Sequence, residues 1–278
     1  VLHDSHDEDH IHLVPLEFPK PMAGLAVETK KKGDEQRLFD ILGKLAMEDP
    51  TFIVERHPTS NETVIRGLGE IHLKTKLEKM AGQYKLEVDT KPPRIPYRET
   101  IGGQAEATCR HKKQTGGAGQ FGEVALRVEP MPRGTGFDFV DATKGGVIPH
   151  NFMPAVRKGV EQVLATGAVA GFPLQDVRVT VFDGKHHAVD SKEIAFITAG
   201  RKAFLEAVAK ARPTVLEPIV SVEIVCPEAN TGDIAGDLSS RRGQVTGTKA
   251  AGPGALAITG VAPLVELDGY AARLKSVT

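Results

Sequence analysis

Residues Gln114 to Val124 read QTGGAGQFGEV, and this stretch separates three possible folds. Its glycines and final valine spell G-x-G-x-x-G-x-V, the pattern of the nucleotide loop of protein kinases. The same glycines fit the dinucleotide fingerprint G-x-G-x-x-G, whose loop must open a helix. After Gly122, however, the larger apolar residues stand at every second position, which predicts a strand. The stretch therefore favours a tight glycine hairpin that is presented for contact.

A kinase-like nucleotide binder is kept as an alternative, because a strand does follow the loop. That fold also needs an H-R-D catalytic loop and a D-F-G metal ligand. The sequence has no H-R-D, and its nearest approach to D-F-G is the inverted Phe182-Asp183-Gly184. It also has no G-x-x-x-x-G-K-[ST] phosphate loop. We therefore predict that the chain has no catalytic residues and binds no nucleotide of its own.

Composition limits the other possibilities. The 278 residues are enough for two or three domains, and a net charge of −1 argues against non-specific binding of polyanions. Aromatic residues make up 5% and tryptophan is absent, which argues against a base-stacking surface. Cys109 and Cys226 are isolated, so we expect reduced thiols in a cytoplasmic protein. The longest run of low polarity, residues 163–174, is too short to span a bilayer. Any contact with nucleic acid must then be local.

Apolar periodicity divides the chain into segments. Residues 1–14, rich in His, Asp and Glu, predict a solvated lead-in rather than a metal site. Residues 15–91 predict a βαββαβ order with strands at 22–29, 51–56, 62–66 and 84–88 and helices at 33–49 and 71–82. Residues 214–278 repeat that order with the closing strand missing. Two split βαβ modules therefore flank a different middle segment, and we expect the chain to be a piece of a longer protein.

The middle segment, residues 92–213, predicts a mixed α+β domain. Its strands are expected near 105–110, 122–128, 137–141 and 176–182, and its helices near 151–165 and 191–211. Asp190 and Ser191 have the residue types of an N-cap for the second helix. The apolar residues of that helix expected to face the core are Ile194, Ile197, Phe204, Leu205 and Val208.

Three polar constellations are candidates for function. The hairpin at Thr115 to Gln120 follows the basic run Arg110-His-Lys-Lys113, and its small residues would let the backbone approach RNA phosphates. The turn at Lys185 to His187 holds adjacent histidines, which can serve in catalysis or metal binding. It lacks the partners of a hydrolytic triad or of an H-E-x-x-H site. Arg241 and Arg242 end a helix, where they can cap it or contact a partner. A plain surface turn or cap is the alternative for each.

Five segments, taken in order, resemble the C-terminal half of bacterial elongation factor G. They are Gly67-Leu-Gly-Glu-Ile-His-Leu73, Gln114-Thr-Gly-Gly-Ala-Gly-Gln-Phe-Gly122, Gly145-Gly-Val-Ile-Pro149, His187-Ala-Val-Asp-Ser-Lys-Glu-Ile-Ala-Phe196 and Arg241-Arg-Gly-Gln-Val245. The resemblance covers nearly the whole chain. It implies domains III, IV and V, with two ferredoxin-like domains flanking an elongated α+β domain of ribosomal-protein-S5-like type. It also implies a GTPase parent, whose absent upstream domain would bind GTP and magnesium.

The resemblance further implies which residues meet the ribosome, the expected partner of a monomeric chain. In that family, domain IV reaches the decoding site, and its tip loops touch the codon–anticodon duplex of mRNA and tRNA. Mapped residue by residue, the tip falls on Thr115, Gly116, Gly117, Ala118, Gly119, Gln120, Lys185, His186 and His187. Domain III relays the nucleotide state. Domain V abuts large-subunit RNA near the sarcin–ricin loop, with Arg241 and Arg242 as candidate contacts.

One tip residue departs from the family pattern. Ala118 stands where the family commonly has arginine, which removes a cation that could contact RNA. Translocation of tRNA and mRNA is the function that the resemblance implies, and Ala118 raises the alternative of a paralogue for ribosome recycling or protection. A free-standing pair of RNA-binding split βαβ domains is a weaker alternative, because no aromatic RNP1-like run is present.

Overall fold

A computed structural model describes residues 16–57, 61–113 and 119–277. The chain forms two compact units, one made of residues 1–95 and 221–278 and the other of residues 96–220. Helices and sheets occur in both units, so the predicted α+β class is confirmed. The lead-in at residues 1–14 lies outside the described residues.

The N-terminal module is a four-stranded antiparallel sheet with two helices. Its elements are β1 (Ala23–Thr29), α1 (Glu35–Glu48), β2 (Ile53–His57), β3 (Glu62–Gly67), α2 (Glu70–Tyr84) and β4 (Val88–Lys91). The strand order is β2-β3-β1-β4, as expected for the ferredoxin-like arrangement. The predicted apolar stripe of α1 is fully buried against this sheet, and its members are Leu38, Ile41, Leu42 and Leu45.

The predicted closing strand is present, but it lies later in the chain than the predicted residues 84–88. Helix α2 runs through Gly82 to Tyr84, and Lys85 then adopts the left-handed conformation with φ of 52°. Gly82 therefore lies inside the helix and does not end it. The chain reverses at Lys85, and β4 begins only at Val88.

The C-terminal module has the same order of its first five elements. They are β11 (Ile219–Pro227), α5 (Thr231–Ser240), β12 (Gln244–Gly252), β13 (Ala255–Pro263) and α6 (Tyr270–Val277). The described residues form a sheet of order β11-β13-β12, and Ile224, Cys226, Ile234, Ile258 and Tyr270 make its buried core. The last helix begins later than the predicted Leu264, since residues Leu264–Leu267 form a short 3-10 turn and Gly269 then takes a positive φ.

The middle domain places two helices against a four-stranded sheet. Its elements are β5 (Arg98–Ile101), β6 (Ala105–Lys113), β7 (Gln120–Pro130), β8 (Phe137–Asp141), α3 (Met153–Thr166), β9 (Val177–Lys185), α4 (Glu193–Lys210) and β10 (Pro213–Leu216). The sheet order is β6-β7-β9-β8, with β8 and β9 parallel and the other neighbours antiparallel. Strands β5 and β10 pair separately.

The two helices of the middle domain touch through their backbones. A Cβ on Gly159 of α3 would overlap the carbonyl oxygen of Ile197 and lie 3.0 Å from the amide nitrogen of Arg201 in α4. A Cβ on Gly200 would likewise lie 3.0 Å from the carbonyl oxygen of Val156. Glycine at both positions therefore sets the close approach of α3 and α4, which cover the sheet.

Two details of α4 differ from the sequence-based expectation. Phe204 and Val208 are fully buried and Ile197 and Leu205 are partly buried, but Ile194 is 49% exposed. The N-cap is Lys192, and no side chain caps the helix. The hydroxyl of Ser191 is engaged elsewhere, in the turn that precedes the helix.

A buried carboxylate fixes the loop that follows α3. Glu99 is 1% exposed, and its two oxygens accept backbone N–H groups of Ala168, Val169, Ala170 and Phe172 at 2.7–3.1 Å. Burial alone would raise the pKa of Glu99, but these four donors outweigh it and hold the pKa below its usual value. The charge thus ties β5 to a segment about 70 residues away.

Both cysteines are free thiols. Cys226 is buried in the C-terminal module, and Cys109 is half-buried on β6, where burial raises the pKa of its thiol. Among the residues described, no helix is both long and apolar enough to cross a bilayer.

Candidate functional site

The candidate site lies at one end of the four-stranded sheet, where β6 turns into β7. Lys113 and Gln120 form the last pair of that antiparallel ladder. Of the predicted tip residues in this hairpin, Thr115, Gly116, Gly117 and Ala118 lie outside the described residues. Gly119 and Gln120 are described, and they place the base of the hairpin.

The turn after β9 is bonded directly to this hairpin. The N–H of Phe121 donates to the carbonyl oxygen of Asp190 at 2.9 Å, and the hydroxyl of Ser191 donates to the carbonyl oxygen of Phe121 at 3.0 Å. The N–H of His187 in turn donates to Ser191 Oγ at 2.8 Å. Asp190 and Ser191, expected to cap α4, instead join the two turns. The structure thus brings together the described parts of both predicted tip segments.

Gly119 fits the same close approach because it has no side chain. A Cβ at this position would lie 2.5 Å from Oδ1 of Asp190, well inside van der Waals contact. Any other residue would displace the Asp190 side chain or the hairpin. The glycine-rich sequence therefore allows the hairpin to lie against the neighbouring turn, a role that the sequence did not reveal.

His187 is held in the turn by its backbone and by one ring nitrogen. Its Nδ1 lies 3.3 Å from the backbone nitrogen of Asp190 and 3.4 Å from the Oδ2 atom of the same residue. The ring stands edge-on to Phe121, with centroids 6.3 Å apart, and its side chain is 57% exposed. Among the described residues, the polar contacts of this ring all involve Nδ1 and none involves Nε2, which is therefore available for a partner outside the chain.

A small pocket lies between the two turns. It encloses about 150 Å³ and is lined by Lys112, Lys113, Gln120, Phe121, His187 and Asp190. The predicted residues Gln120 and His187 thus share a concave surface with two lysines of the basic run. Two cations against one carboxylate make this pocket more suitable for an anion than for a cation.

A third loop reaches the same end of the domain. Nδ1 of His186 lies 3.1 Å from the carbonyl oxygen of Val147, and a Cβ on Gly184 would lie 2.5 Å from Cδ1 of Ile148. Gly145 and Gly146 turn the loop with φ values of 66° and 68°. The Gly145–Pro149 motif supported the resemblance, but sequence reasoning did not assign it to the tip, because its position follows from the parallel pairing of β8 with β9.

The predicted arginines lie in the C-terminal module, which belongs to the other compact unit. The guanidinium of Arg241 lies 4.6 Å from the ring centre of Tyr270 and donates to the carbonyl oxygen of Glu266 at 2.7 Å. Its side chain is only 23% exposed, so it mainly stabilises the module. Arg242 is 53% exposed and forms an ion pair with Glu266 at 2.9 Å. Of the two, Arg242 has more surface for a partner.

Three protein-family models match consecutive parts of the chain. Elongation Factor G domain III matches residues 18–92, elongation factor G domain IV matches 93–212, and the elongation factor G C-terminus matches 214–278. This chain belongs to the elongation factor G family. The domain IV match contains the whole candidate site.

Comparisons with individual proteins agree. The chain is 43% identical over 274 residues to an elongation factor G-like protein of Thermotoga maritima, covering 99% of this chain and 40% of that protein. A crystal structure from Thermus thermophilus is 37% identical and superposes with a TM-score of 0.80, covering 95% of this chain and 39% of that one. The chain therefore spans about two fifths of the length of these relatives.

Proposed function

We propose that this chain is the ribosome-binding C-terminal part of an elongation factor G-like GTPase that promotes GTP-dependent movement of tRNA and mRNA. The observation that carries the proposal is the junction of the hairpin and the turn around the hydrogen bond from Phe121 to Asp190. This junction presents Gln120, His187 and two lysines on one surface, in a chain made of elongation factor G domains. The tip would enter the decoding site.

The chemistry of the tip fits an RNA partner. Lys112, Lys113 and Lys185 supply cations that can neutralise phosphates, and an arrangement of phosphate contacts positions a protein on RNA without reading sequence. The available Nε2 of His187 is a donor that can reach a base edge or a 2′-hydroxyl. With 5% aromatic residues in the chain, contact through phosphates and shape is favoured over base stacking.

The remaining partners belong to the whole protein. The relatives are about two and a half times as long as this chain, which leaves room for a GTP-binding domain. We propose that GTP and magnesium bind there, and that domain III relays the nucleotide state. We assign the large-subunit contact near the sarcin–ricin loop to domain V, with Arg242 as the better exposed of its two candidate arginines.

A second candidate function is a role in ribosome recycling or ribosome protection. The observation that favours it is Ala118, which removes an arginine from the tip and so weakens any electrostatic contact with RNA. The kinase-like alternative is no longer favoured, because all three family matches lie in the elongation factor G family.

Two assays on the full-length parent distinguish these candidates. Single-turnover translocation measures movement of mRNA on ribosomes that carry a pretranslocation complex. Subunit splitting in the presence of a ribosome recycling factor measures the alternative. Translocation stimulated by GTP supports our proposal, and splitting without translocation would replace it with recycling.

A further inference from the structure

A row of three charged residues crosses the sheet directly below the tip. Arg110 of β6 is the register partner of Glu123 in β7, and Glu123 is the register partner of Lys185 in β9. Nε of Arg110 donates to Oε2 of Glu123, and Nζ of Lys185 lies 3.7 Å from the other carboxylate oxygen, Oε1. One carboxylate therefore joins cations from both neighbouring strands. We call these three residues the charge row.

The anionic side chain of the charge row is much less exposed than its two cationic side chains. The side chain of Glu123 is 11% exposed, whereas those of Arg110 and Lys185 are 55% and 64% exposed. The carboxylate thus lies in the protein surface, and the two cations face solvent around it. An anion from outside would meet the cations first.

Both cations keep donors for such an anion. The bond from Arg110 uses Nε, one of the nitrogens of a guanidinium that has five N–H donors. Lys185 is farther from Glu123 than a hydrogen bond allows, so its ammonium group is attracted to the carboxylate but not fixed by it. The internal ion pairs therefore do not saturate the row.

The charge row is continuous with the tip pocket. Residues two apart on a strand share one face of the sheet. Lys112 follows Arg110 by two positions, Phe121 precedes Glu123 by two, and both line the pocket. The same face of the sheet thus leads from the pocket to the row.

We propose that the charge row is a phosphate-binding site for RNA and that the charge of Glu123 sets how tightly the row holds it. The identity of the RNA as ribosomal rests on the proposed function. With Glu123 ionised, the row has one net positive charge, and without the carboxylate charge it would have two. Glu123 acts through its neighbours as a positioning residue and limits their attraction for phosphate. A factor that must leave the ribosome benefits from such a limit.

The test uses Glu123→Gln with Glu106→Gln as a matched control. Glu106 forms an ion pair with Arg127 at 2.7 Å across the same two strands. Arg127 is four residues from Glu123, which is about 13 Å along a strand. This distance exceeds the Debye length of about 10 Å at 0.1 M salt, so the control removes an equal charge outside the row. The 278-residue chain is titrated against a short labelled RNA hairpin between about 100 and 200 mM KCl, where this screening holds.

We expect Glu123→Gln to tighten binding at low salt and to steepen the log–log salt slope by about one unit. Arg110→Gln and Lys185→Gln should each reduce that slope by about one unit, and Glu106→Gln should leave it unchanged. Unchanged or weaker binding by Glu123→Gln would overturn the proposal, as would an equal effect of Glu106→Gln. If Glu123→Gln does not fold, as judged by its thermal unfolding, the two cation variants decide.

The same titration with purified ribosomes separates this inference from the proposed function. Effects on both the hairpin and the ribosome support the two together. If the hairpin responds and the ribosome does not, the row binds RNA phosphate but the assignment of the tip to the ribosome falls.

Discussion

Phe121 and Asp190 are joined by a backbone hydrogen bond of 2.9 Å, although they are 69 positions apart in the chain. This bond connects the start of β7 to the turn that leads into α4. Because His187 lies in that turn and its ring contacts Phe121, the position of the imidazole depends on the hairpin beside it. The described parts of the two tip segments therefore form one structural unit, and we expect a change in either part to alter the other.

Replacing His187 with alanine should slow translocation by the full-length parent about tenfold or more, which corresponds to about 1.4 kcal/mol or more in the barrier. Ribosome-stimulated GTP hydrolysis should change little, since we place the nucleotide site in another domain. Single-turnover translocation and GTPase rates measure both effects. His57→Ala in domain III is the control, because His57 pairs with Glu55 in the other compact unit. Translocation at the wild-type rate would remove His187 from the mechanism.

Restoring the family arginine should strengthen the tip. Ala118→Arg in the full-length parent adds one cation to the hairpin, so ribosome binding should tighten and its log–log salt slope should steepen by about one unit. Affinity measured across a range of salt concentrations gives this slope. An affinity that is equal to wild type at every salt concentration would show that position 118 does not meet RNA.

Glu99→Gln should destabilise the middle domain by about 2–4 kcal/mol. The NH₂ group of a buried glutamine would face backbone N–H groups that now donate to the carboxylate, and two donors cannot pair with each other. Urea unfolding followed by circular dichroism measures the change. Glu106→Gln provides the comparison, since its ion pair with Arg127 is half-exposed and should contribute less than about 1 kcal/mol. Equal stabilities for the two variants would mean that the four N–H bonds to Glu99 contribute little.

The contribution of Glu99 to the free energy of unfolding should decrease at acidic pH. The pKa of Glu99 is lowered in the folded state, so its ionised form contributes stability above the unfolded pKa of about 4.3 and loses it as pH falls. The gap in unfolding free energy between wild type and Glu99→Gln should therefore narrow between about pH 6 and pH 3. Urea titrations across this range test the sign. A gap that is constant or widens toward low pH contradicts the assignment.

Gly159→Ala should destabilise the middle domain by about 1–3 kcal/mol, because the new methyl group overlaps the backbone of α4. Gly82→Ala in α2 is the control, since a Cβ there meets no atom within 4 Å. In that open helical position alanine should stabilise by up to about 1 kcal/mol. Thermal unfolding of both variants gives opposite signs if the close crossing is correct.

The periodicity of apolar residues predicted those structural features that depend on residues close together in the sequence. The spacing of Leu38, Ile41, Leu42 and Leu45 identified the buried face of α1, and alternation identified β8 with its observed bounds. It failed at residues 84–88, where the reversal is made by a left-handed Lys85 that no sequence rule required. It also gave no sign that β5 pairs with β10, since that ladder joins residues more than a hundred positions apart.

The candidate site shows the same division. Glycines and a basic run indicated a contact loop, and the resemblance supplied His187. The role of Ser191 was mistaken, because its type and position suit a helix cap and only the fold places it beside Phe121. The charge row could not be found from sequence, since Arg110, Glu123 and Lys185 meet only through strand register.

The contact between α3 and α4 has a mechanical consequence. Where Gly159 meets the backbone at Ile197 and Arg201, no layer of side chains lies between the helices to be compressed or to change rotamer. A displacement of one helix should therefore be transmitted directly to the other, and both helices support the same face of the sheet. We therefore expect α3, α4 and the sheet that they cover to move together as one rigid body.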